Sequence, residues 1–254
     1  MPEALVRRPS PRLAAGIVTH IERQPVDYAL AEKQWFAYVS ALTSSGWKTI
    51  DVPPAEDCPD SVFVEDTVVM FGTLAVITRP GAAARRPEID AVPAVLDALG
   101  VEAAYIEPPG TLDGGDVLKV GRDVYVGLGG RTNADGVRQL RRLTEPSGFR
   151  VVALPVTKVL HLKSAVTALP DGTVIGFDPL VDDTRIFPRY RSMPEESGAH
   201  VVILDRERVL MAADCPRSAD LVQSLGYDVV RVDIGEFQKL EGCVTCLSVR
   251  LRER

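Results

Sequence analysis

The sequence predicts an α/β fold in which short repeats of two strands, a helix and a further strand form a closed ring. Apolar hairpins recur along the chain around glycine turns, and most are followed by a helical segment and another strand. The last segment has only one strand, so we expect the N-terminal strand to complete its sheet, which would leave no open sheet edge. An ordinary α/β sandwich with the same elements is the alternative.

The N-terminal half repeat comes first. Residues 4–8 predict a strand, and residues 9–20 predict a loop that could cover a site. The spacing of Trp35, Tyr38 and Leu42 predicts a helix over 27–45, and a strand ended by prolines follows it.

Four further repeats follow, and the third lacks a clear helix because residues 179–198 are proline-rich. Their predicted hairpins cover residues 62–79, 115–128, 164–177 and 201–213. Helices are predicted over 86–99, 132–144 and 217–225, and closing strands over 101–106, 150–154 and 227–232.

Composition excludes several protein classes. The 254 residues are 46% hydrophobic and 25% charged, which is typical of a globular chain, and the net charge of -6 is spread over mixed signs. Neither nucleic acid nor an anionic membrane is therefore an expected partner, whereas a cationic substrate would be attracted. The four cysteines are too scattered for a disulfide scaffold, and there is neither a signal peptide nor an 18-residue apolar run, so a cytoplasmic protein with reduced thiols is expected.

Cys246 is the candidate nucleophile. It follows a turn at 240–242, in which Gly242 is expected to need a positive φ, and precedes the alternating apolar residues of a short strand. A thiol where a loop becomes a strand is held rigidly and can face a cavity. An inert buried thiol, a redox pair with Cys243 and half of a zinc site are the alternatives. A strand rather than a helix follows the CVTC segment, which argues against a redox pair. No second CxxC or HxxxH is present, which argues against a structural zinc site.

Polar residues near the predicted hairpin starts are the other candidate catalytic residues. His161 is a better general acid or base than His20 or His200, because it lies at the mouth of a hairpin. Glu65 and Asp66 follow an apolar run, and two adjacent carboxylates are costly unless a cation lies between them. A solvated hairpin edge is the simpler interpretation of that pair.

Three further side chains have two interpretations each. Asp113 precedes two glycines, where a turn aspartate is common. Arg85 and Arg131 lie near predicted helix starts, which is the unfavourable end of the helix dipole for a cation, so they could be reserved for a carboxylate ligand. Surface arginine is the alternative for both.

Four motifs in this order resemble those of the dimethylarginine dimethylaminohydrolases, members of the guanidino-group-modifying (pentein) superfamily. They are PDSVFVED at 59–66, TLDGGDVL with GLGGRTN at 111–133, VLHLKS at 159–164 and EGCVTCLSV at 241–249. The likeness covers nearly the whole chain. It implies a five-bladed α/β propeller with the site on its axis, and a single catalytic domain over residues 1–254.

The resemblance also implies roles for individual residues. Cys246 would be the nucleophile, His161 the acid/base, and Asp113 the residue that orients the histidine. Seven further residues would bind substrate or order the site: Asp60, Glu65 and Asp66 at the guanidinium, Arg85 and Arg131 at the α-carboxylate, and Ile17 and the Leu240 backbone over the amino acid. Neither a metal nor an organic cofactor is implied, and a homodimer is left open. Cys243 departs from the glycine or leucine of some relatives.

The expected reaction converts methylated arginine to citrulline and a methylamine through a covalent thiouronium. An arginine deiminase acting on free arginine is the nearest alternative, although such enzymes usually carry an extra helical insertion. A non-catalytic propeller that binds a macromolecule would not need Cys246, His161 and Asp113 together. The third alternative is a CVTC redox or zinc protein.

Overall fold

The computed structural model describes residues 1–251. The chain forms fifteen short strands and five α-helices in this part, connected by 3-10 turns. The strands are β1 (Glu3–Val6), β2 (Lys48–Asp51), β3 (Val68–Phe71), β4 (Leu74–Ile77), β5 (Glu102–Tyr105), β6 (Val117–Val120), β7 (Asp123–Leu128), β8 (Arg150–Pro155), β9 (Val166–Ala168), β10 (Val174–Gly176), β11 (Tyr190–Ser192), β12 (Val202–Ile203), β13 (Arg208–Ala212), β14 (Asp228–Val232) and β15 (Val249–Leu251). The helices are α1 (Tyr28–Ser44), α2 (Val92–Ala98), α3 (Ala134–Thr144), α4 (Pro216–Ser224) and α5 (Gly235–Gln238).

These strands form five three-stranded sheets with one common pattern. In each sheet the middle strand pairs antiparallel with one neighbour and parallel with the other, as in β3-β4-β5 and β6-β7-β8. A parallel pair needs a crossover connection, and α1, α2, α3 and α4 supply it in four sheets. Between β10 and β11 the described chain uses two 3-10 helices instead. The predicted repeat, including its irregular third unit, is confirmed.

The fifth sheet combines the two chain termini. β1 pairs antiparallel with β15, with Glu3 opposite Leu251 and Leu5 opposite Val249, and parallel with β2. The N-terminal strand therefore completes the sheet of the C-terminal segment, as the sequence predicts. This pairing fixes the segment that carries Cys246 to the opposite end of the chain.

α1 packs its apolar side over the same segment. Trp35, Tyr38 and Leu42 are buried in the main hydrophobic cluster, which also contains Cys243 and Leu247. The Tyr38 hydroxyl donates to the Val244 carbonyl at 2.9 Å and lies 2.7 Å from Ser248 Oγ. The tyrosine thus anchors the backbone on both sides of Cys246. Among residues 1–251, no helix combines the length and apolar character needed to span a membrane.

Three local predictions were wrong. Val64–Thr67 is a 3-10 helix rather than the start of a strand, so β3 begins at Val68. The helix predicted over 86–99 is divided into a 3-10 segment at 83–89 and α2, and Pro87 and Pro93 lie in these two pieces. The positive φ of the 240–242 turn falls at Glu241, with φ 61°, rather than at Gly242.

Gly242 is required for close packing instead. A Cβ built on Gly242 would lie 2.4 Å from Cε1 of Phe63, closer than any side chain tolerates. The missing side chain lets the loop that leads to Cys243 and Cys246 pack directly on the aromatic ring.

Candidate active site

Loops from different sheets converge on one small cavity that contains the predicted thiol and imidazole. Its volume is about 10 Å³, which is room for about one water molecule. The cavity is lined by Ile17, Asp60, Phe63, Asp66, Arg85, Arg131, Leu160, His161, Leu240, Glu241, Gly242 and Cys246. We call it the thiol cavity. A thiol, an imidazole, three carboxylates and two guanidinium groups therefore meet in one enclosed space.

Cys246 is placed by a tight turn before β15. Its amide N–H donates to the Cys243 carbonyl at 3.1 Å, and its carbonyl accepts from the Glu65 amide at 3.2 Å, so the backbone is held on both sides. Its side chain is 8% exposed, and its sulfur lies 3.2 Å from that of Cys243. This hydrogen bond, burial, and the negative charges of Cys243, Glu65 and Asp66 raise the pKa of Cys246 well above its usual value. A nearby cation would favour the thiolate.

His161 is held by Asp113 inside the fold. His161 Nε2 lies 3.0 Å from Asp113 Oδ2, and both residues are buried. Asp113 is fixed in turn, because its Oδ1 accepts from the Gly81 amide at 2.8 Å and its Oδ2 from Arg131 at 3.3 Å. A carboxylate in this position sets the orientation of the ring and stabilises the imidazolium.

The carboxylates around His161 dominate its protonation. Burial alone disfavours the imidazolium, but the charges of Asp66, Asp116 and Asp113 and the hydrogen bond to Asp113 outweigh it and raise the pKa of His161 to about 9. His161 Nδ1 lies 3.9 Å from Asp66 Oδ1. His161 is therefore protonated at neutral pH, the form that can give a proton to a leaving amine.

The two glycines after Asp113 allow this arrangement. A Cβ on Gly114 would lie 1.9 Å from the Glu65 carbonyl oxygen, and a Cβ on Gly115 would lie 2.6 Å from His161 Nδ1. The segment can pass beside the imidazole only without side chains, and the Gly115 amide then donates to Asp66 at 2.7 Å. These glycines therefore allow the backbone to pack directly on Glu65 and on the His161 ring, in addition to forming the turn that the sequence suggested.

Asp116 supports His161 from the other side. Its Oδ1 accepts from the Leu162 amide at 3.0 Å and its Oδ2 from the Thr132 hydroxyl at 2.6 Å. Burial raises the pKa of Asp116 to about 6. The side chain connects the second hairpin to the start of the third, where His161 lies.

Asp66 is paired with Arg85 as well as with Gly115. Arg85 Nη1 donates to Asp66 Oδ2 at 2.7 Å, while its Nε and Nη2 donate to Glu88 at 2.9 and 2.8 Å. Burial disfavours the carboxylate, but the charges of His161 and Arg85 and the hydrogen bonds from Arg85 and the Gly115 amide keep the pKa of Asp66 well below its usual value. Asp66 is therefore an ionised carboxylate at the thiol cavity, and Arg85 holds it in place.

The cover of the cavity comes from the N-terminal loop. Both oxygens of Asp60 accept from the Ile17 amide, at 3.2 and 3.1 Å. Glu241 accepts from the amides of Thr19 and His20 at 2.6 and 2.8 Å. Ile17 and Leu240 lie in the lining as expected, whereas sequence reasoning missed Glu241. An acidic residue in a turn gives no sequence signal of such a contact across the fold.

Two predicted site residues are absent from the lining of the thiol cavity: Asp113, which lies behind His161 and holds it, and Glu65, which faces elsewhere. The Glu65 carboxylate lies 2.6 Å from Lys163 Nζ and 3.4 Å from Arg250, in the lining of a second cavity of about 390 Å³. Thr245 and Ser248 also line this second cavity, and the two linings share no residue. The 3-10 turn at Val64–Thr67 directs the adjacent side chains of Glu65 and Asp66 to different cavities.

Asp66, Asp113 and His161 also have the spacing of metal ligands, with ligating atoms within 4.8 Å of one another. Both carboxylates already accept hydrogen bonds, because His161 Nε2 and Arg131 share Asp113, and Gly115 and Arg85 share Asp66. The set is therefore organised around the imidazole and the Arg85 guanidinium.

Comparisons with known proteins give relatives that match nearly the whole chain. The family model of arginine deiminase matches residues 54–214. A dimethylarginine dimethylaminohydrolase of Streptomyces coelicolor is 64% identical over 251 residues, which cover 99% of this chain and 97% of that protein. The corresponding protein of Pseudomonas aeruginosa is 36% identical and covers 97% of this chain and 98% of its own length.

Solved structures show the same fold with ligands bound. A dimethylarginine dimethylaminohydrolase adduct with S-methyl-L-thiocitrulline superposes with a TM-score of 0.91 at 34% identity, over 98% of each chain. A Pseudomonas aeruginosa complex with citrulline superposes with a TM-score of 0.90 at 35% identity, again over 98% of each chain. The predicted five-bladed α/β propeller is thereby confirmed.

Proposed function

Because the chain belongs to the dimethylarginine dimethylaminohydrolase family, we propose that it hydrolyses Nω-methylated arginine to citrulline and a methylamine, with Cys246 as nucleophile. One observation carries the proposal: Cys246, His161 and the ionised Asp66 line the same buried cavity. Thiol, proton donor and cation-binding carboxylate are the groups that hydrolysis of a guanidinium requires.

Guanidinium binding prepares the thiol for attack. Asp66 pairs with the guanidinium N–H groups and fixes the central carbon against the sulfur. The bound cation also favours ionisation of Cys246, whose pKa is raised in the free protein. The Cys246 thiolate then attacks that carbon and forms a carbon–sulfur bond.

His161 moves the protons. As imidazolium it protonates the departing dimethylamine, the carbon–nitrogen bond breaks, and an S-alkylthiouronium remains on Cys246. The neutral imidazole next removes a proton from water, whose oxygen attacks the same carbon. Cleavage of the carbon–sulfur bond releases citrulline and restores the thiolate. Asp113 keeps the ring oriented during both transfers.

The amino-acid end of the substrate is bound by the arginines and the covering loop. Among residues 1–251 the Arg131 side chain donates to Asp113 alone, at 3.3 Å. Every guanidinium nitrogen of Arg85, by contrast, already donates to Asp66, Glu88 or a carbonyl. Arg131 is therefore better placed than Arg85 to bind the α-carboxylate. If Arg85 also contacts that group, it must do so without releasing Asp66. Asp60 and Ile17 order the cover.

Substrate entry requires the cover to move. The thiol cavity has a volume of about 10 Å³ in this conformation, and a methylated arginine is many times larger. The exposed segment that Glu241 holds at Thr19 and His20 is the part of the lining that can open at the lowest cost.

Parallel incubations with arginine, monomethylarginine and asymmetric dimethylarginine test the proposal, with citrulline as readout. We expect rapid turnover of the methylated substrates and none with Cys246→Ser. Turnover of arginine alone would identify a deiminase, the activity that the matching family model names. Full activity of Cys246→Ser together with an inactive Cys243→Ser would show that the other thiol is the nucleophile.

The remaining predictions concern the whole chain. A single domain over residues 1–254, a cytoplasmic location and a homodimer are proposals that size-exclusion chromatography, limited proteolysis and cell fractionation can test.

A further inference from the structure

We propose that Cys243 and Cys246 form a reversible disulfide when a small hydroperoxide enters the thiol cavity, so that this pair is an oxidative modification site. The two sulfur atoms lie 3.2 Å apart, and both side chains are buried. The proposal goes beyond the hydrolase reaction, and only its effect on activity rests on the proposed role of Cys246.

The backbone already has the shape that a disulfide needs. The Cys246 amide donates to the Cys243 carbonyl at 3.1 Å, which closes a four-residue turn over CVTC. Such a turn brings its first and last Cα atoms within about 7 Å, and disulfides span Cα distances of about 4.4–6.8 Å. The sulfurs need to approach from 3.2 Å to about 2.05 Å, a movement that side-chain rotation can supply.

The two sulfurs differ in access. Both cysteines belong to the main hydrophobic cluster, but Cys246 lines the thiol cavity and Cys243 does not. The Cys243 sulfur lies 3.2 Å from Thr245 Oγ1. An oxidant that enters the cavity therefore meets Cys246 first, and Cys243 is the neighbour that can resolve the product. Cys58 and Cys215 are also free buried thiols, and the Cys215 thiol donates to the Ala212 carbonyl at 3.2 Å.

The hydrogen bond between the two sulfurs favours the thiolate, which is the reactive form of a cysteine. The bond from Cys246 lowers the pKa of Cys243, so that the pair carries one proton between two sulfurs. Transfer of this proton across 3.2 Å makes either sulfur the thiolate. The thiolate, rather than the thiol, reacts with peroxides and with sulfenic acids.

The chemistry balances in two steps. The Cys246 thiolate attacks one oxygen of hydrogen peroxide, the O–O bond breaks, and Cys246 sulfenic acid and hydroxide result. Cys243 then attacks the Cys246 sulfur, the S–O bond breaks, and the disulfide forms with loss of water. The two thiols lose two electrons, which the peroxide takes up. A dithiol reductant reverses the product by thiol–disulfide exchange.

Two consequences follow for the protein. The disulfide removes the attacking sulfur and would stop hydrolysis until it is reduced. It also protects Cys246 from further oxidation to sulfinic acid, which is irreversible without a dedicated repair enzyme. A lone active-site thiol would lack this protection.

The test treats the reduced protein with hydrogen peroxide, blocks remaining thiols with an alkylating reagent, and determines intact mass and tryptic peptides. We expect loss of two hydrogen atoms, a peptide cross-linked between Cys243 and Cys246, and recovery of both thiols with dithiothreitol. This mass readout needs no enzymatic activity, so it stands apart from the test of the hydrolase. Activity, relative to each untreated variant, should fall and return with the disulfide.

Cys243→Ser and Cys243→Ala are the resolving-thiol variants, and Cys58→Ser is the matched control because Cys58 is similarly buried, at 7% exposed. In the Cys243 variants we expect Cys246 to gain two oxygen atoms and activity to stay lost after dithiothreitol. Cys58→Ser should behave as the parent protein. If the parent protein forms no cross-link at 243–246 and its Cys246 is overoxidised as fast as in Cys243→Ser, the proposal is wrong.

Discussion

The thiol cavity and the second cavity differ in size and in chemistry, and the smaller one holds the groups that can do acid/base chemistry. The second cavity, with Glu65, Lys163 and Arg250 in its lining, has a volume of about 390 Å³, whereas the thiol cavity has about 10 Å³. In the second cavity Lys163 and Arg250 share the one carboxylate of Glu65. In the thiol cavity the charges surround an imidazole and a thiol. Acid/base groups, and not volume, are therefore the reason for proposing the thiol cavity as the reaction site.

Adjacent residues divide between the two cavities. Asp66 faces His161 and Arg85, while Glu65 pairs with Lys163, only two residues beyond His161 in the sequence. Exchanging equivalent groups on the two sides should therefore have very different effects on turnover.

Replacement of His161 should have the largest effect. His161→Gln removes the proton donor and acceptor, and we expect kcat to fall by about 10²- to 10⁴-fold. His200→Gln is the control, since His200 is also buried but contacts the Ser164 carbonyl at 2.8 Å and lies outside the thiol cavity. Citrulline formation measured on both variants decides. Equal losses in the two would mean that the imidazole at position 161 has no special role.

The neighbouring carboxylates provide the sharpest contrast. Asp66→Asn should lower kcat/KM by about 10²-fold, because a charge-assisted pair with the guanidinium is lost and about 3 kcal/mol goes with it. Glu65→Gln should act mainly on stability, by about 1–3 kcal/mol in urea unfolding, because Lys163 loses a buried partner. A Glu65→Gln variant that unfolds normally but loses turnover as severely as Asp66→Asn would contradict the division between the cavities.

The pH dependence of stability should report the carboxylates around His161. The folded state raises the pKa of His161 from 6.5 to about 9, so the imidazolium contributes stability that is fully present below the unfolded pKa and is lost as pH rises through about 9. We expect the free energy of unfolding of the parent protein to fall between pH 6.5 and 9 by more than that of His161→Gln. Parallel falls in both proteins would show that His161 is not held as imidazolium.

The cover should give the smallest effect. Glu241→Ala removes the acceptor of the Thr19 and His20 amides, and a loss of about 1 kcal/mol should raise KM roughly five-fold with little change in kcat. Glu22→Ala is the matched control, an exposed acidic residue of the same segment. A comparable rise of KM in both variants would attribute the effect to net charge rather than to the cover.

Sequence reasoning was most successful where periodicity or a motif carries the information. Hairpins around Gly72 and Gly121 and the unpaired last strand indicated the repeats and their closure, because strand alternation and turns are local properties. The motifs predicted that Cys246 and His161 lie at one site, and both line the thiol cavity. Their catalytic roles remain proposals for the experiments above.

The remaining features depend on contacts that sequence does not encode locally. The predicted strand through VFVED gave no indication that a 3-10 helix at this position directs the side chains of Glu65 and Asp66 to different cavities. Neither the approach of Gly115 to His161 nor the positive φ of Glu241 has a distinctive local signal. The buried pairing of Arg85 with Glu88 likewise has no sequence signal, because the position of Glu88 in a predicted helix is typical of a surface residue.

Acid quenching during turnover of asymmetric dimethylarginine, followed by peptide mass spectrometry, tests the central claim most directly. The account predicts a transient adduct on Cys246 with the mass of the substrate minus dimethylamine, and its accumulation in His161→Gln if attack remains faster than hydrolysis there. An adduct on Cys243, or steady turnover by the parent protein with Cys246 unmodified at every quench time, would contradict the thiol cavity as the place where the carbon–sulfur bond forms.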